Sequence, residues 1–161
     1  MRLLPPAVAG ELFVLASKQA ALATCKRSRC GSVVVSADGK VIGEGFNSPA
    51  GNLESQRRCL ANKDLLNRKV TDKTCCVHAE QRAILDALRR SPKKVPGSTL
   101  YFIRLGPDGR PSRAGDPYCT ICSKMALEAG IAEFVLWHDG GPTAYRTDEY
   151  NLLSYKYSDG K

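Results

Sequence analysis

Histidine is nearly missing from this chain, with 2 residues in 161. Long apolar runs are missing too, and none approaches the roughly 20 residues that a membrane-spanning helix needs. The apolar start is broken by Pro5 and Pro6 and then by Glu11, which leaves no uninterrupted core for a secretory leader. A cytoplasmic protein with no membrane partner is therefore expected. Low-complexity tracts and repeats are absent as well, which argues against a disordered chain, a coiled coil or a solenoid. The length allows one substantial core but not two, so a single domain over residues 1–161 is expected.

Cysteine, by contrast, is plentiful. Its 7 residues are an odd number and cannot all pair. In a chain with no leader, metal binding or buried thiols explain cysteines better than disulfides do. The formal net charge of +8 favours anionic partners such as nucleotides or nucleic acid, although solubility alone accounts for it equally well.

The periodicity predicts a helix over 6–22, with Val8, Leu12, Leu15 and Leu22 as its apolar face and proline in its first turn. A hairpin follows, from Val33–Val35 through the Asp38-Gly39 turn to Val41 and Ile42. Residues 47–74 are polar and weakly patterned, with a short helix over 62–67 as the only candidate. Beyond them the pattern predicts a helix over 78–90, a strand over 100–105 and a loop over 106–116. A helix over 120–129, capped by Gly130, precedes a strand over 134–137. The aromatic-rich tail has a helical pattern around 148–153. This alternation argues for a layered α/β fold with a mixed sheet.

Two short segments carry the chemistry. Cys75-Cys76-Val77-His78-Ala79-Glu80 and Pro117-Tyr118-Cys119-Thr120-Ile121-Cys122 each lie where a helix is predicted to begin. Cysteines three apart at a helix start can face one point in space, and the helix N-terminus favours the thiolate that binds metal. His78, Cys119 and Cys122 supply three zinc ligands and leave the fourth tetrahedral position open to water, as in a catalytic site. Glu80, two residues beyond His78, is placed to move protons. Cys25, Cys30, Cys59, Cys75 and Cys76 read first as buried thiols, with a second site built largely from cysteine as the alternative. His138 reads as a surface or packing residue rather than a ligand.

H-x-E followed by P-C-x-x-C is the signature of zinc nucleobase deaminases. The chain resembles the cytidine and deoxycytidylate deaminase superfamily, and the likeness extends to Cys25–Val35 and to Ile42–Asn47. It implies a three-layer α/β/α sandwich around a mixed sheet of about five strands, the fifth having no clear place in the sequence. It also implies a bound zinc ion, hydrolytic release of ammonia, and a homo-oligomer whose neighbours complete each other's pockets. By the same resemblance Asn47 contacts the sugar or base, and Ala79 offers its backbone N–H to the pyrimidine carbonyl. Arg27 and Arg29 are candidates for a phosphate.

The pattern departs from the family at Tyr118, which stands between the proline and the first cysteine and could stack on the base or cover the pocket. It departs again at Arg82, where asparagine is usual, and in the long loop before Pro117. The leading expectation is a cytosine nucleotide or nucleoside of the deoxycytidylate type. The alternatives are cytosine or adenine in tRNA or single-stranded DNA, a free base, or a nucleoside antibiotic. A zinc-stabilised binding module is the non-enzymatic reading, and it would have no use for Glu80.

Overall fold

The computed structural model describes residues 1–70 and 72–157. In chain order the first elements are β1 (Arg2–Leu3), α1 (Pro6–Leu22), β2 (Arg29–Val35), β3 (Val41–Phe46), β4 (Ser48–Pro49) and β5 (Cys76–Val77). They are followed by α2 (Ala79–Arg90), β6 (Thr99–Leu105), β7 (Pro111–Ser112), α3 (Thr120–Ala129), β8 (Glu133–His138), β9 (Gly141–Arg146) and α4 (Thr147–Lys156). The main sheet runs β1-β9-β8-β6-β2-β3, with β7 folded back on the end of β6. β6 and β8, joined through α3, are parallel and every other pair is antiparallel, so the sheet is mixed. Its five long strands are those the resemblance implies. The fifth is β9, hidden in the sequence behind Gly140, Gly141 and Pro142, which signal a turn.

Side chains alternate between the two sheet faces, as the strand pleat dictates. Val33, Val35, Tyr101, Ile103 and Val135 pack under α1, whereas Val34, Leu100, Phe134 and Leu136 face α2, α3 and α4. The result is three layers, α/β/α. On the far side Phe134 stacks on Tyr150 of α4 at 4.2 Å between ring centroids.

α1 corrects one expectation. Its buried face is Ala9, Phe13, Ala16 and Ala20, while Val8 and Leu22 are 62% and 57% exposed. The reason lies in Gly31 of β2, where any Cβ would collide with the Ala16 carbonyl and the Ala20 backbone. A helix riding this low admits only small residues at the contact, so the leucine stripe is displaced to its flanks. The same device seats α2, because a Cβ at Gly45 of β3 would strike the backbone of Ala79 and Ala83. That contact fixes the first turn of α2, and therefore the site, against the sheet.

The segment 62–67 holds a single 3-10 turn, Lys63–Leu65, rather than a longer helix. Among the described residues from 50 to 77, Cys59 alone is buried. No helix among the described residues is long and apolar enough to cross a membrane.

Candidate active site

His78 is the N-cap of α2 and Cys119 is the N-cap of α3, so two positive helix ends converge on one point. His78 Nδ1 lies 3.3 Å from the sulfurs of both Cys119 and Cys122, and those two sulfurs are 3.2 Å apart. A Glu80 carboxylate oxygen joins them, with all four ligand atoms within 4.8 Å of one another. Gln81 holds the entry to the helix by accepting from the His78 backbone N–H at 3.1 Å. Cys122 is fully buried, and Glu80 is only 5% exposed.

The electrostatics suit metal capture. The hydrogen bond from Cys122, helped by His78, pulls the Cys119 thiol down to about 4, well into thiolate range. The bond to Cys119 raises His78 to about 9, and the same Cys119 contact together with burial holds Cys122 up as a thiol. Burial, reinforced by the Cys119 thiolate, raises Glu80 above the ordinary carboxylate range. One imidazole and two thiols are the donor chemistry of zinc with an open fourth position. Binding would displace the protons held on His78 and Cys122.

A family model described as the cytidine and deoxycytidylate deaminase zinc-binding region matches residues 8–138. The chain belongs to this family. It is a zinc-dependent hydrolytic deaminase of cytosine-type substrates. A search of curated proteins finds no match. Among solved structures it is similar to the dCMP deaminase from the cyanophage S-TIM5 in complex with dCMP and dUMP. There the identity is 23%, 81% of each chain is covered and the TM-score is 0.56. It is also similar to a cytidine deaminase from Burkholderia pseudomallei, at 20% identity and a TM-score of 0.56, over 88% of this chain and 94% of that one. These likenesses concern the fold.

Other candidate residues of the deaminase line two cavities that share no residue. One, a cleft of about 110 Å³, is lined by His78, Asn47, Arg27, two lysines and four cysteines among others. Asn47 is buried and its side chain is engaged with the backbone. Its Oδ1 accepts from the Cys30 N–H at 2.8 Å, and its Nδ2 donates to the Ser28 carbonyl at 2.9 Å. Ala79, fully buried, is the first residue of α2. Arg29 parts company with Arg27 and lies against Gly109 in the loop after β6.

At the other cavity Tyr118 is 48% exposed and accepts a hydrogen bond from Arg104 at 2.9 Å. With Arg113, Tyr150 and Tyr157 these two line a cavity of about 170 Å³. Sequence reasoning missed Arg104. It lies within an otherwise apolar strand, and an arginine in that setting, on the face shared with Leu100 and Phe102, was the available signal. Arg82 turns away from the metal ligands to donate to the Pro49 carbonyl at 2.8 Å, tying α2 to β4. His138 bridges the Ala114 carbonyl and the Tyr145 hydroxyl, at 3.1 and 2.8 Å, as a packing residue should.

Proposed function

We propose that this deaminase acts on a small cytosine nucleotide of the deoxycytidylate type. In this reading His78, Cys119 and Cys122 hold zinc and Glu80 moves protons. The observation that carries the assignment is the buried Glu80 carboxylate beside a three-donor set. Zinc in that set supplies a water nucleophile acidic enough to react near neutral pH. Glu80, with its raised proton affinity, would carry one proton of the attacking water to the ring nitrogen and the second, from the hydroxyl formed on the ring carbon, to the amine, so that ammonia leaves as the carbonyl forms. Ala79 offers its backbone N–H to the pyrimidine carbonyl, and Tyr118 closes over the base.

The cleft beside His78 supports a phosphate-bearing substrate, because Arg27, Arg58, Lys63 and Lys73 all line it. The phage neighbour with dCMP and dUMP is consistent with this choice. A second reading, deamination of single-stranded nucleic acid, is favoured by the wall of Tyr118, Tyr157, Arg104 and Arg113, a stacking surface flanked by cations. A substrate panel separates the two. Ammonia release is followed for cytosine, cytidine, deoxycytidine, their mono- and triphosphates, guanine, a short single-stranded DNA and a tRNA, each at low and high salt. Turnover is expected on the monophosphate. Strongly salt-sensitive turnover of an oligonucleotide with silence on every monomer would overturn the choice.

A further inference from the structure

Arg104 is the only charged residue in β6, a strand held between β2 and β8. By the alternation of the strand it shares the face of Leu100 and Phe102, the one covered by α2, α3 and α4. It stands near the end of the strand, with Cys30 of β2 as its partner in register. It forms no ion pair among the described residues. Its Nη2 donates instead to the Tyr118 hydroxyl at 2.9 Å.

That bond completes a chain of contacts across the end of the sheet. Asn47 lies where β3 gives way to the irregular lobe leading to α2, and its Oδ1 accepts from the Cys30 backbone N–H at 2.8 Å. Cys30 is buried, with its thiol 3.2 Å from the Ser28 hydroxyl. Burial, and then the charge of Glu80, raise that thiol, while the Arg104 guanidinium offsets part of the rise. From Arg104 the chain passes to Tyr118, the residue before Cys119. The Cys30–Arg104 pair thus joins the cleft that Asn47 lines to the cavity that Tyr118 lines.

Tyr118 has need of a hold. It sits on residues 113–119, which carry no regular structure, and it is 48% exposed. Its ring leans on Tyr157, with 5.7 Å between centroids and a tilt of 49°. A half-exposed ring on an irregular segment has rotamers to lose when it orders against a ligand. A donor that selects one rotamer beforehand lowers that cost. Arginine suits the task, because its planar fork stays charged and has donors to spare for Cys30.

We propose that Arg104 is a positioning residue of the deaminase, holding Tyr118 over the reacting base and in register with Asn47. The proposal rests on the reading in which Tyr118 closes over the base. Arg104 itself does not touch the substrate. Its loss loosens the wall and weakens ground-state and transition-state binding alike, so KM rises while kcat stays.

The test is steady-state kinetics on Arg104→Ala, Tyr118→Phe and the double variant, with zinc content and melting temperature measured alongside. Deoxycytidylate is the substrate or, failing turnover there, the panel member that the wild type turns over fastest. Arg104→Ala should raise KM by about 3- to 10-fold, the factor of one net hydrogen bond, and leave kcat within about twofold. Tyr118→Phe removes the hydroxyl and keeps the ring, so it should give the same rise. The double variant should add nothing to either single change. Zinc and melting should stay at wild-type values in all three. An unchanged KM in Arg104→Ala overturns the proposal. So does a further rise when Arg104→Ala is added to Tyr118→Phe, which would put the guanidinium on the substrate itself. Tyr118→Ala separates the two claims. A wild-type KM in that variant takes Tyr118 away from the base, whereas a raised KM there with none in Arg104→Ala removes Arg104 alone. Should Arg104→Ala fail to fold, a wild-type KM in Tyr118→Phe overturns the proposal.

Discussion

His78, Cys119 and Cys122 stand on two helix ends packed against a sheet, whereas Cys25, Cys59 and Cys75 lie in loops held by arginines and Cys76 in the two-residue strand β5. Both groups gather sulfur, but the mounts differ. The first has its geometry set by the fold, through Gly45 beneath Ala79 and by capping at His78, and its three donors leave room for a reacting water. The second has almost no buried surroundings to define it. A fold that positions ligands can leave a metal reactive, whereas a lobe that lacks a core has only local contacts to place its side chains.

The largest effect that should separate the two regions is at Cys122. Cys122→Ser is expected to abolish ammonia release and remove the zinc, while proteolysis within residues 50–75 keeps its wild-type rate. A parallel quickening of that proteolysis would show that the two regions behave as one. Next is Gly45→Ala, which forces a methyl group into the α2 backbone and should cost roughly 1–3 kcal/mol in thermal or denaturant unfolding. The same change at Gly39, in the hairpin turn with nothing within 4 Å, tests position rather than residue type, since there only the left-handed backbone is penalised. A loss at Gly39 as large as that at Gly45 would break the seating argument.

A smaller and more local change is expected from Arg57→Ala. It removes the link to Thr24 and should quicken proteolysis within residues 50–75 while leaving the melting of the sheet in place. The smallest effect concerns the metal-free protein. Cys119, lowered to about 4, contributes stability that is lost as pH falls through that value. His78, raised to about 9, contributes stability that is lost as pH rises through it. Between the ordinary His78 value of 6.5 and pH 9 the gain at Cys119 offsets the loss at His78, so chelated protein should lose stability as pH falls from about 6.5 toward 4, and a Cys119→Ser variant should flatten that loss. An unchanged profile in that variant would remove the Cys119–His78 contact from the account.

Much of this was legible because the signals were local. Proline at the start of α1, the Asp38-Gly39 turn and left-handed Gly130 at the end of α3 mark boundaries within a few residues of themselves. His78, Glu80, Cys119 and Cys122 were legible for the same reason, each pair fitting within one helical turn. What escaped depended on distant partners. The buried face of α1 is chosen by Gly31 in a strand, and β9 is recruited by β8 despite Gly141 and Pro142. Arg104 gains meaning only beside Tyr118, and the lobe thiols only once Cys25, Cys59 and Cys76 are brought together.

The most direct test is made on Glu80→Gln, with zinc content and ammonia release from deoxycytidylate measured on the same sample. The substitution keeps the size of the side chain and removes its ability to move a proton. Zinc should remain at the wild-type level while turnover falls by roughly 10²–10⁴-fold. Near-normal turnover with zinc in place would contradict the role of Glu80 and the catalytic reading built on it.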